Sequence, residues 1–531
     1  MNRDPEYGII KISLKKANDR GSSMNRKSHS IRIGIIAALF AACVLCASCT
    51  KADRVYPETV EELDGLRVGI MTGSIQEEAV LQNFPNSPRQ YFNNKTDLAE
   101  AVIANKIDYF LNAKISARNI VEETKELRII DESVFENEYA FIFKKNDEKA
   151  AALKAQFDEY IGKLREDGTL DELKQTWFED PAVVSHPPAF EMPPEGKNGT
   201  LVMAISTTQP PYVFMYDNHP TGHDLQLACM FCEEYGYGLR LTDSDFAGII
   251  PAVSSGKADF GGACITVTKE RAQSVDFSET YAYGEQVPMV ANRGAQANGF
   301  FESLKKTFIV ENRWKLILSG LSVTLLIALS ATVCGTALGF GLFLLCRKSR
   351  KVFNGIIDKI TWIFSGLPMV VILMILYYVI FADSSISGAV VASIAFSIST
   401  MLGVNAKLLT SVKSIEKGQI EGALSLGFTD TQTLFTFVLP QAITQFMPNY
   451  LTSLIELIKG TSIVGYIAVQ DLTKASDIIR SRTYDAFFPL VSTALIYLLT
   501  VIVITAVLKK AVVRMEPKNR SDAEVLRRFG K

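Results

Sequence analysis

The sequence predicts an α/β domain followed by an all-α membrane region of about five helices. The chain has 531 residues, which is too long for one domain. Residues 55–300 carry many charges and alternate short apolar runs with amphipathic segments, a pattern typical of an α/β fold. Residues 314–508 contain long apolar runs instead. The formal net charge of −2 gives no basic field, so we expect no nucleic-acid partner.

The first 54 residues have the composition of a secretion signal. When Met24 is taken as the start, a cationic segment at 26–32 precedes an apolar stretch at 33–45. The letters LCASC, which end at Cys49, resemble a bacterial lipobox and imply lipid attachment at that cysteine. An uncleaved anchor helix is the alternative, and either arrangement exports the domain that follows.

Five segments are long and apolar enough, or nearly so, to cross a bilayer as helices. They lie at about residues 316–345, 362–382, 386–405, 446–468 and 487–508. Arginines and lysines cluster after the first and fifth segments, and cationic loops tend to stay in the cytoplasm. We therefore expect the C-terminal tail, residues 511–531, to be cytoplasmic. An odd number of spans then places residues 55–313 outside, as the secretion signal also predicts.

The loop between the third and fourth segments carries the most specific motif. Residues 418–441 read GQIEGALSLGFTDTQTLFTFVLPQ, which predicts a short helix, a turn and a second helix. This pattern closely resembles the coupling loop of type I ABC importer permeases of the polar amino-acid uptake family, and the resemblance extends over residues 314–510. The residues that carry the motif are Gly418, Gln419, Glu421, Ala423, Gly427 and Pro440. The resemblance implies docking to a separate ABC ATPase subunit, with small side chains at Gly422 and Ala423 allowing close approach.

The chain is expected to hold neither a nucleotide nor a metal ion. It contains no loop of the form G-x-x-x-x-G-K-[ST], so the resemblance implies a transport protein rather than an enzyme, with ATP acting on the partner subunit. Cys229 and Cys232 share the apolar face of an amphipathic segment. No second Cys or His pair completes a zinc set, so we expect both thiols in the core.

The exported region resembles a bilobal family 3 periplasmic solute-binding protein with its lobes in reversed order. Residues 200–298, beginning GTLVMAISTTQPPYVF, resemble the first lobe of that family. Residues 55–180, beginning near LDGLRVGIMTGS, resemble its second lobe and C-terminal helices. A Pro-rich linker at 181–199 joins the two, and residues 299–313 lead to the membrane region. The order implies a circular permutation near the hinge at 286–292; two decayed half-domains are the alternative.

The same resemblance implies a cleft that binds an amino acid. Arg271 matches the carboxylate clamp of the family, where a guanidinium binds bidentately. Thr266 matches a position that adds a donor. Backbone N–H groups at Ser74, between a strand and a helix, are placed to meet an anion. The other residues implied in the cleft are Gly73, Ser206, Tyr212, Phe246 and Cys264, with both aromatic rings covering the solute side chain.

The expected partner of the α-ammonium group is missing. Asn112 and Ala113 stand where the family commonly has an aspartate, and Ser206 replaces another position that is often acidic. An unpaired ammonium in a closed cleft is unfavourable. Glu138 is a candidate substitute, and a solute other than an α-amino acid is the alternative.

The predicted function is the permease subunit of an ATP-driven amino-acid importer in the bacterial inner membrane, with its own exported binding domain. About five spans do not readily enclose a pathway, so a second permease copy is expected, in a homodimer or a heterodimer. A ligand-gated channel is an alternative, since Val464, Gly465 and Tyr466 faintly resemble a potassium filter. A ligand-sensing membrane receptor, including a nutrient sensor with an inactive permease, is another.

Overall fold

The computed structural model describes residues 54–72, 74–295, 299–348, 351–382, 384 and 386–515. Nearly all of the predicted signal region, together with Cys49, Gly73 and residues 516–531, lies outside the described residues. The described residues from Tyr56 onward form a two-lobed α/β domain and a region of long apolar helices.

Strands lie only in the part of the described chain that precedes the long helices. They are β1 Val68–Met71, β2 Arg89–Phe92, β3 Tyr109–Ala113, β4 Leu127–Ile129, β5 Phe135–Tyr139, β6 Ile142–Lys144, β7 Thr200–Ile205, β8 Thr208–Gln209, β9 Val213–Tyr216, β10 His219–Thr221, β11 Gly238–Asp243, β12 Phe260–Gly261, β13 Val275–Phe277 and β14 Ala282–Ala291. Helices of the same part are α1 Gln76–Asn83, α2 Lys95–Ile103, α3 Lys114–Glu123, α4 Glu148–Glu166, α5 Thr169–Phe178, α6 His223–Glu234 and α7 Ile249–Ser254.

The helices that follow are α8 Phe300–Phe308, α9 Arg313–Lys348, α10 Lys351–Gly366, α11 Met369–Ile375, α12 Gly388–Lys413, α13 Lys417–Ser425, α14 Asp430–Thr433, α15 Leu439–Gly460, α16 Leu472–Thr483 and α17 Phe487–Met515. Short 3₁₀ segments lie at Phe246–Gly248, Arg271–Gln273 and Thr461–Ile467.

One lobe, the six-strand lobe, has the sheet order β2-β1-β3-β14-β4, with β5 paired to β14. Strands β1, β2 and β3 are parallel, whereas β14 is antiparallel to β3, β4 and β5. All side chains of β1 and β3 are buried. Such unbroken burial is typical of parallel strands covered on both faces, which explains why these strands read as continuous apolar runs.

The other lobe, the five-strand lobe, has the order β11-β7-β12-β6-β13. Helices α4, α5 and α6 contribute Phe157, Trp177 and Phe231 to its core. The rings of Phe157 and Phe231 stack with centroids 3.7 Å apart. Cys229 and Cys232 also lie in this core, as the apolar face of α6 predicts.

The chain crosses between the lobes twice. It passes from β5 to β6 through Ala140–Phe141 and returns from β13 to β14 through Ser278–Tyr281. Each sheet therefore contains strands from both sides of the Pro-rich linker. Two independent half-domains would each complete a sheet within one segment, so this connectivity is the one that a circular permutation at the hinge predicts.

Three helices of the described chain are long and apolar enough to cross a membrane: Val310–Lys348, Gly388–Lys413 and Phe487–Leu508. Two bent helix pairs, at residues 351–380 and 430–483, raise the number to five if each counts as one span. Helices α9 and α12 approach closely at Gly335 and Gly339. A Cβ built on these glycines would lie 2.8 Å and 2.7 Å from backbone oxygens of α12, so only small residues permit this packing.

The second predicted span, 362–382, is wrong as a single straight helix. α10 and the segment from Met369 to Ile380 meet at 105°. The break falls at Pro368, which has no N–H to donate and pushes Leu367 out of helical conformation. The fourth predicted span also differs, because α15 begins at Leu439 and is followed by a 3₁₀ turn and α16 at 56°.

Candidate functional site

A small cleft lies between the lobes, beside both crossover strands. Its lining residues are Met71, Ser74, Ile75, Gln76, Lys95, Asn112, Ala113, Tyr139, Gln209, Phe246, Cys264, Thr266, Arg271 and Gln286. The cleft encloses about 20 Å³, which is room for about one water molecule. A solute with several heavy atoms therefore requires the lobes to separate before it can enter.

Arg271 supplies a buried positive charge on the five-strand side of the cleft. Its Nη1 donates to the carbonyl oxygen of Thr266 at 3.0 Å, and its backbone N–H donates to Thr268 Oγ1 at 3.1 Å. The guanidinium carbon lies 5.7 Å from the ring centroid of Phe246. Burial lowers the pKa of Arg271, although a guanidinium remains charged in proteins. A buried cation held in this way favours an anion in the cleft.

Asp224 fixes the loop that carries Cys264. The backbone N–H groups of Ala263 and Cys264 donate to Asp224 Oδ2 at 3.1 and 2.8 Å, and the Tyr281 hydroxyl donates to the same oxygen at 2.6 Å. Ala263 and Cys264 have positive φ angles of 131° and 51°, which these hydrogen bonds help to maintain. This role could not be predicted from the sequence, because an acid in the first turn of a helix is an ordinary partner of the helix dipole.

The six-strand lobe faces the cleft with polar groups that sequence reasoning missed. Lys95 Nζ lies 4.0 Å from Cys264 Sγ, across the cleft. Gln76 Nε2 donates to Gln286 Oε1 at 3.0 Å. The buried atoms Ser74 Oγ and Gln76 Oε1 have no hydrogen-bond partner among the described residues. The Ser74 backbone N–H donates to Met71 O at 3.1 Å, so it does not face the cleft as expected.

A chain of side-chain amides links the hinge strands to the five-strand side of the cleft. Gln286 Nε2 donates to Asn137 Oδ1 at 2.8 Å, and Asn137 Nδ2 donates to Thr266 Oγ1 at 2.9 Å. Gln286 belongs to β14 and Asn137 to β5, the two strands that meet at the crossovers. Thr266 is thus positioned by the hinge itself.

Three predicted site residues do not line the cleft. Tyr212 is fully buried in the core of the five-strand lobe, with the Tyr139 and Phe178 rings each 5.2 Å away. Ser206 is buried beyond the end of β7, where its Oγ lies 3.1 Å from Thr208 Oγ1. Glu138 is exposed and accepts a hydrogen bond from Thr280 Oγ1, so it does not replace the missing acid. None of the three is among the residues that line the cleft.

Asn112 does line the cleft, but its amide is used within its own strand. The Asn112 Oδ1 accepts a hydrogen bond from the Ala113 backbone N–H at 3.0 Å, and Nδ2 lies 3.8 Å from Met289 Sδ. The structure therefore places a neutral, internally bonded group where the sequence analysis sought an acid.

The predicted coupling loop forms two short helices, α13 and α14. Gly418, Gln419 and Glu421 are exposed on α13, whereas Ala423 is 4% exposed and packs inward, so it does not join the accessible face. Gly427 ends α13 with φ 85°, a conformation that favours glycine. A π-helical segment, Leu434–Val438, joins α14 to α15 without a break, and Pro440, the second residue of α15, follows this segment.

Comparison with known proteins bears on both parts of the chain. Residues 201–462 match the family described as bacterial extracellular solute-binding proteins, family 3; the match starts in β7 and continues into the membrane region. The arginine transport system permease protein ArtQ of Bacillus subtilis (strain 168) is 31% identical over 205 residues, which are 38% of this chain and 93% of ArtQ. The chain belongs to the amino-acid ABC transporter permeases.

A second permease sequence gives the same result. A putative glutamine transport system permease protein, GlnP of Rickettsia typhi (strain ATCC VR-144 / Wilmington), is 30% identical over 198 residues, 36% of this permease and 89% of GlnP. A solved amino acid ABC transporter is 27% identical, covers 41% of this permease and 100% of its own chain, and has a TM-score of 0.37. The family match and the two permease sequences together confirm the predicted joining of a permease and a solute-binding-protein-like domain in one chain.

One helix of the permease binds both lobes. The α16 residue Lys474 donates to Asp245 Oδ1 of the five-strand lobe at 2.7 Å. Six residues further on, Arg480 Nη2 donates to Asp97 and Glu100 of the six-strand lobe, each at 2.5 Å. The cations of these pairs are buried, with the Lys474 and Arg480 side chains 3% and 9% exposed, whereas the Asp245 and Asp97 side chains are 42% and 30% exposed.

A second cavity of about 240 Å³ lies between the two lobes and this face of the permease. It is bounded by Thr208, Phe246, Tyr466, Lys474 and Arg480, among others. Phe246 lines both this chamber and the cleft, so the two cavities are neighbours. The segment around Gly465 is a 3₁₀ helix, whereas a potassium filter presents successive carbonyls along an extended backbone, so the channel alternative is not supported.

Proposed function

We propose that this permease imports an amino acid or a similar small carboxylate across the bacterial inner membrane. Its two-lobed domain captures the solute outside the cell, and a separate ABC ATPase subunit drives transport through the membrane helices. The observation that carries the proposal is the docking of both lobes on α16 through Lys474 and Arg480, which joins capture and passage in one chain.

Capture depends on charge and on exclusion of water. Arg271 offers a charge-assisted hydrogen bond to a carboxylate, and such bonds are strongest where water is absent. The cleft of about 20 Å³ must widen to admit a solute, and closure of the lobes over the bound solute would then exclude water from around it. The domain itself is expected to need no cofactor or metal for this step.

Hand-over requires a route from the cleft to the membrane helices. The chamber of about 240 Å³ lies on that route and adjoins the cleft at Phe246. Opening of the lobes on the permease would move the solute past this ring. Because the domain is fused, the released solute meets the chamber at a high effective concentration.

The ATPase is proposed to dock on α13. Gly422 lies within this helix, yet a Cβ there would meet nothing within 4 Å in the chain. A glycine inside an exposed helix costs about 1 kcal/mol of helix stability relative to alanine, which is understandable if a partner needs the space. Leu424 and Leu426 are 42% and 77% exposed on the same segment and offer apolar surface to that partner.

A second permease copy is proposed to cover the face formed by α12 and α15. This face holds a cavity of about 470 Å³ lined by Lys407 and Glu456, among others. Glu456 is exposed in the described chain, and an ionised side chain facing lipid is costly. We expect a homodimer or a heterodimer to shield both charges, with the C-terminus cytoplasmic, the two-lobed domain outside and a lipid on Cys49.

Uptake measurements in the source bacterium test the proposal. The chromosomal gene is replaced by an Arg271→Ala variant, and uptake of each labelled amino acid and of C4 and C5 dicarboxylates is compared with that of the unmodified strain. We expect at least one uptake activity to be lost. Arg240→Ala, at an exposed position of β11 in the same lobe, serves as the matched control and should leave uptake unchanged. Unaltered uptake of every compound in the Arg271→Ala strain would refute the proposal.

A further inference from the structure

The cleft contains two cationic side chains and no acidic one. Lys95 belongs to the six-strand lobe and Arg271 to the five-strand lobe, and both line the cleft. The described lining residues include no aspartate and no glutamate. The electrostatic character of the site is therefore positive on both of its walls.

Polar atoms without partners add to this pattern. Gln209 is 1% exposed, and its Nε2 donor has no hydrogen-bond partner among the described residues. Ser74 Oγ is buried and equally without a partner there. A buried polar group without a partner is unfavourable, so these atoms mark positions where a bound solute would supply the missing hydrogen bonds.

The acidic side chains near the two cations lie outside the cleft: Glu270, the neighbour of Arg271, interacts with it electrostatically but is exposed and does not line the cleft. Asp224 lies behind the Cys264 backbone, is fully buried, and already accepts three hydrogen bonds through Oδ2. Asp97 and Asp245 line the neighbouring chamber, where they pair with α16. None of these carboxylates lines the cleft, so none is available to an ammonium group bound there.

We propose that the cleft selects a small dicarboxylate, that is, a solute with one anionic group for each lobe and no ammonium group. This inference rests on the proposed function and specifies its substrate class. One carboxylate pairs with Arg271, and the other lies toward Lys95, displacing its contact with Cys264 Sγ at 4.0 Å. An ammonium group would meet two like charges in a closed site, which disfavours α-amino acids.

The test compares two solutes that share a carbon skeleton. Glutarate is L-glutamate without its amino group, so the pair isolates the effect of the ammonium. The full chain in lipid nanodiscs is titrated calorimetrically with glutarate, L-glutamate, L-glutamine and L-arginine. We expect glutarate to bind at least about tenfold more tightly than L-glutamate, and the other two more weakly still.

Single substitutions test which side chains are responsible for the affinity for glutarate. Lys95→Met removes the charge and shortens the unbranched side chain by one heavy atom, and should weaken glutarate binding by about tenfold or more. Lys106→Met, at an exposed position just after the same helix, is the control and should not change the affinity. A parallel Arg271→Lys variant retains the charge and should lose less affinity than Arg271→Ala.

Each outcome decides the inference. Tighter binding of glutarate that depends on Lys95 supports it. Equal or tighter binding of any of the three amino acids overturns the inference but leaves the proposed importer intact. If none of the four solutes binds a chain that remains folded by circular dichroism, the dicarboxylate assignment is wrong. Uptake in the source bacterium then decides separately whether the importer proposal also fails.

Discussion

Lys474 Nζ lies 2.7 Å from Asp245 Oδ1, and the lysine side chain is 3% exposed. This contact fixes the N-terminal half of α16 to the five-strand lobe. Arg480 fixes the C-terminal half to Asp97 and Glu100 of the six-strand lobe. Residues six apart on a helix are separated by about 9 Å along its axis. A single rigid helix of the permease thus spans both lobes, so closure of the lobes and the position of α16 are mechanically connected.

Removal of the Arg480 side-chain charge should loosen the six-strand lobe. In Arg480→Met, Glu100 is left partly buried without its cation, and breaking one partner of a buried pair costs about 3 kcal/mol. We expect faster hydrogen–deuterium exchange in α2 and reduced uptake. Arg118→Met, at an exposed position on α3, is the control and should leave both unchanged. Unchanged exchange in α2 of the Arg480→Met variant would contradict this connection.

The cost of that substitution should depend on pH. Burial raises the pKa of Glu100, and the Arg480 guanidinium opposes the rise. Without Arg480 the folded-state pKa rises further, so the folded variant prefers protonated Glu100. Stability is then unaffected below the unfolded-state pKa and is lost as pH rises through the folded-state pKa. The stability deficit of Arg480→Met should therefore be smaller at pH 5 than at pH 8 in thermal unfolding; a deficit that is larger at pH 5 would exclude this explanation.

The Gly422→Ala variant distinguishes the stability of α13 itself from close packing of a partner on this helix. Alanine should stabilise the helix by about 1 kcal/mol, because the added Cβ meets no atom of the chain within 4 Å. If the ATPase approaches this surface closely, ATP-dependent uptake should fall by about tenfold even though the helix itself is more stable. A tenfold loss corresponds to about 1.4 kcal/mol of interface free energy. Gly355→Ala in α10, where an added Cβ likewise meets nothing within 4 Å, is the matched control. Full uptake by Gly422→Ala would show that no partner needs this space.

The rate at which the Cys264 thiol is alkylated measures how accessible the cleft is to solvent. Burial raises the pKa of its thiol to about 11. The thiolate reacts with iodoacetamide, so at pH 8 alkylation should be roughly a hundredfold slower than for a thiol of pKa about 9. Peptide mass spectrometry of the labelled chain measures the rate, which should increase with pH and decrease when glutarate is bound. Labelling of Cys264 as fast as that of free cysteine at pH 8 would mean that the cleft is open and hydrated.

The class of the protein could be predicted from local sequence patterns. Long apolar runs define membrane helices because about 20 such residues span a bilayer. The coupling motif around Glu421 lies within one stretch of chain, so its helix, glycine turn and following helix could be read directly. The reversed lobe order was predicted from the alternation of strands and helices within each segment, and it stays a prediction.

The membrane helices were predicted less well where geometry depends on a single residue. Pro368 divides the second span into two helices at 105°, although the apolar run continues through it. An apolar run determines that a segment avoids water but does not determine its direction. Direction follows from backbone hydrogen bonds and from neighbouring helices.

The chemistry of the cleft was decided by tertiary structure. Lys95 and Cys264 are 169 positions apart in the chain, and only the closure of two lobes brings their side chains together. Tyr212 and Ser206 match motif positions that were predicted to line the cleft. In the structure they pack within the five-strand lobe instead. The sequence by itself therefore determined the class of this protein, a permease, because that class is defined by apolar runs and motifs that lie within single stretches of the chain. Which charges face the solute was decided only by the fold, because electrostatic complementarity depends on distances between residues that the sequence leaves far apart.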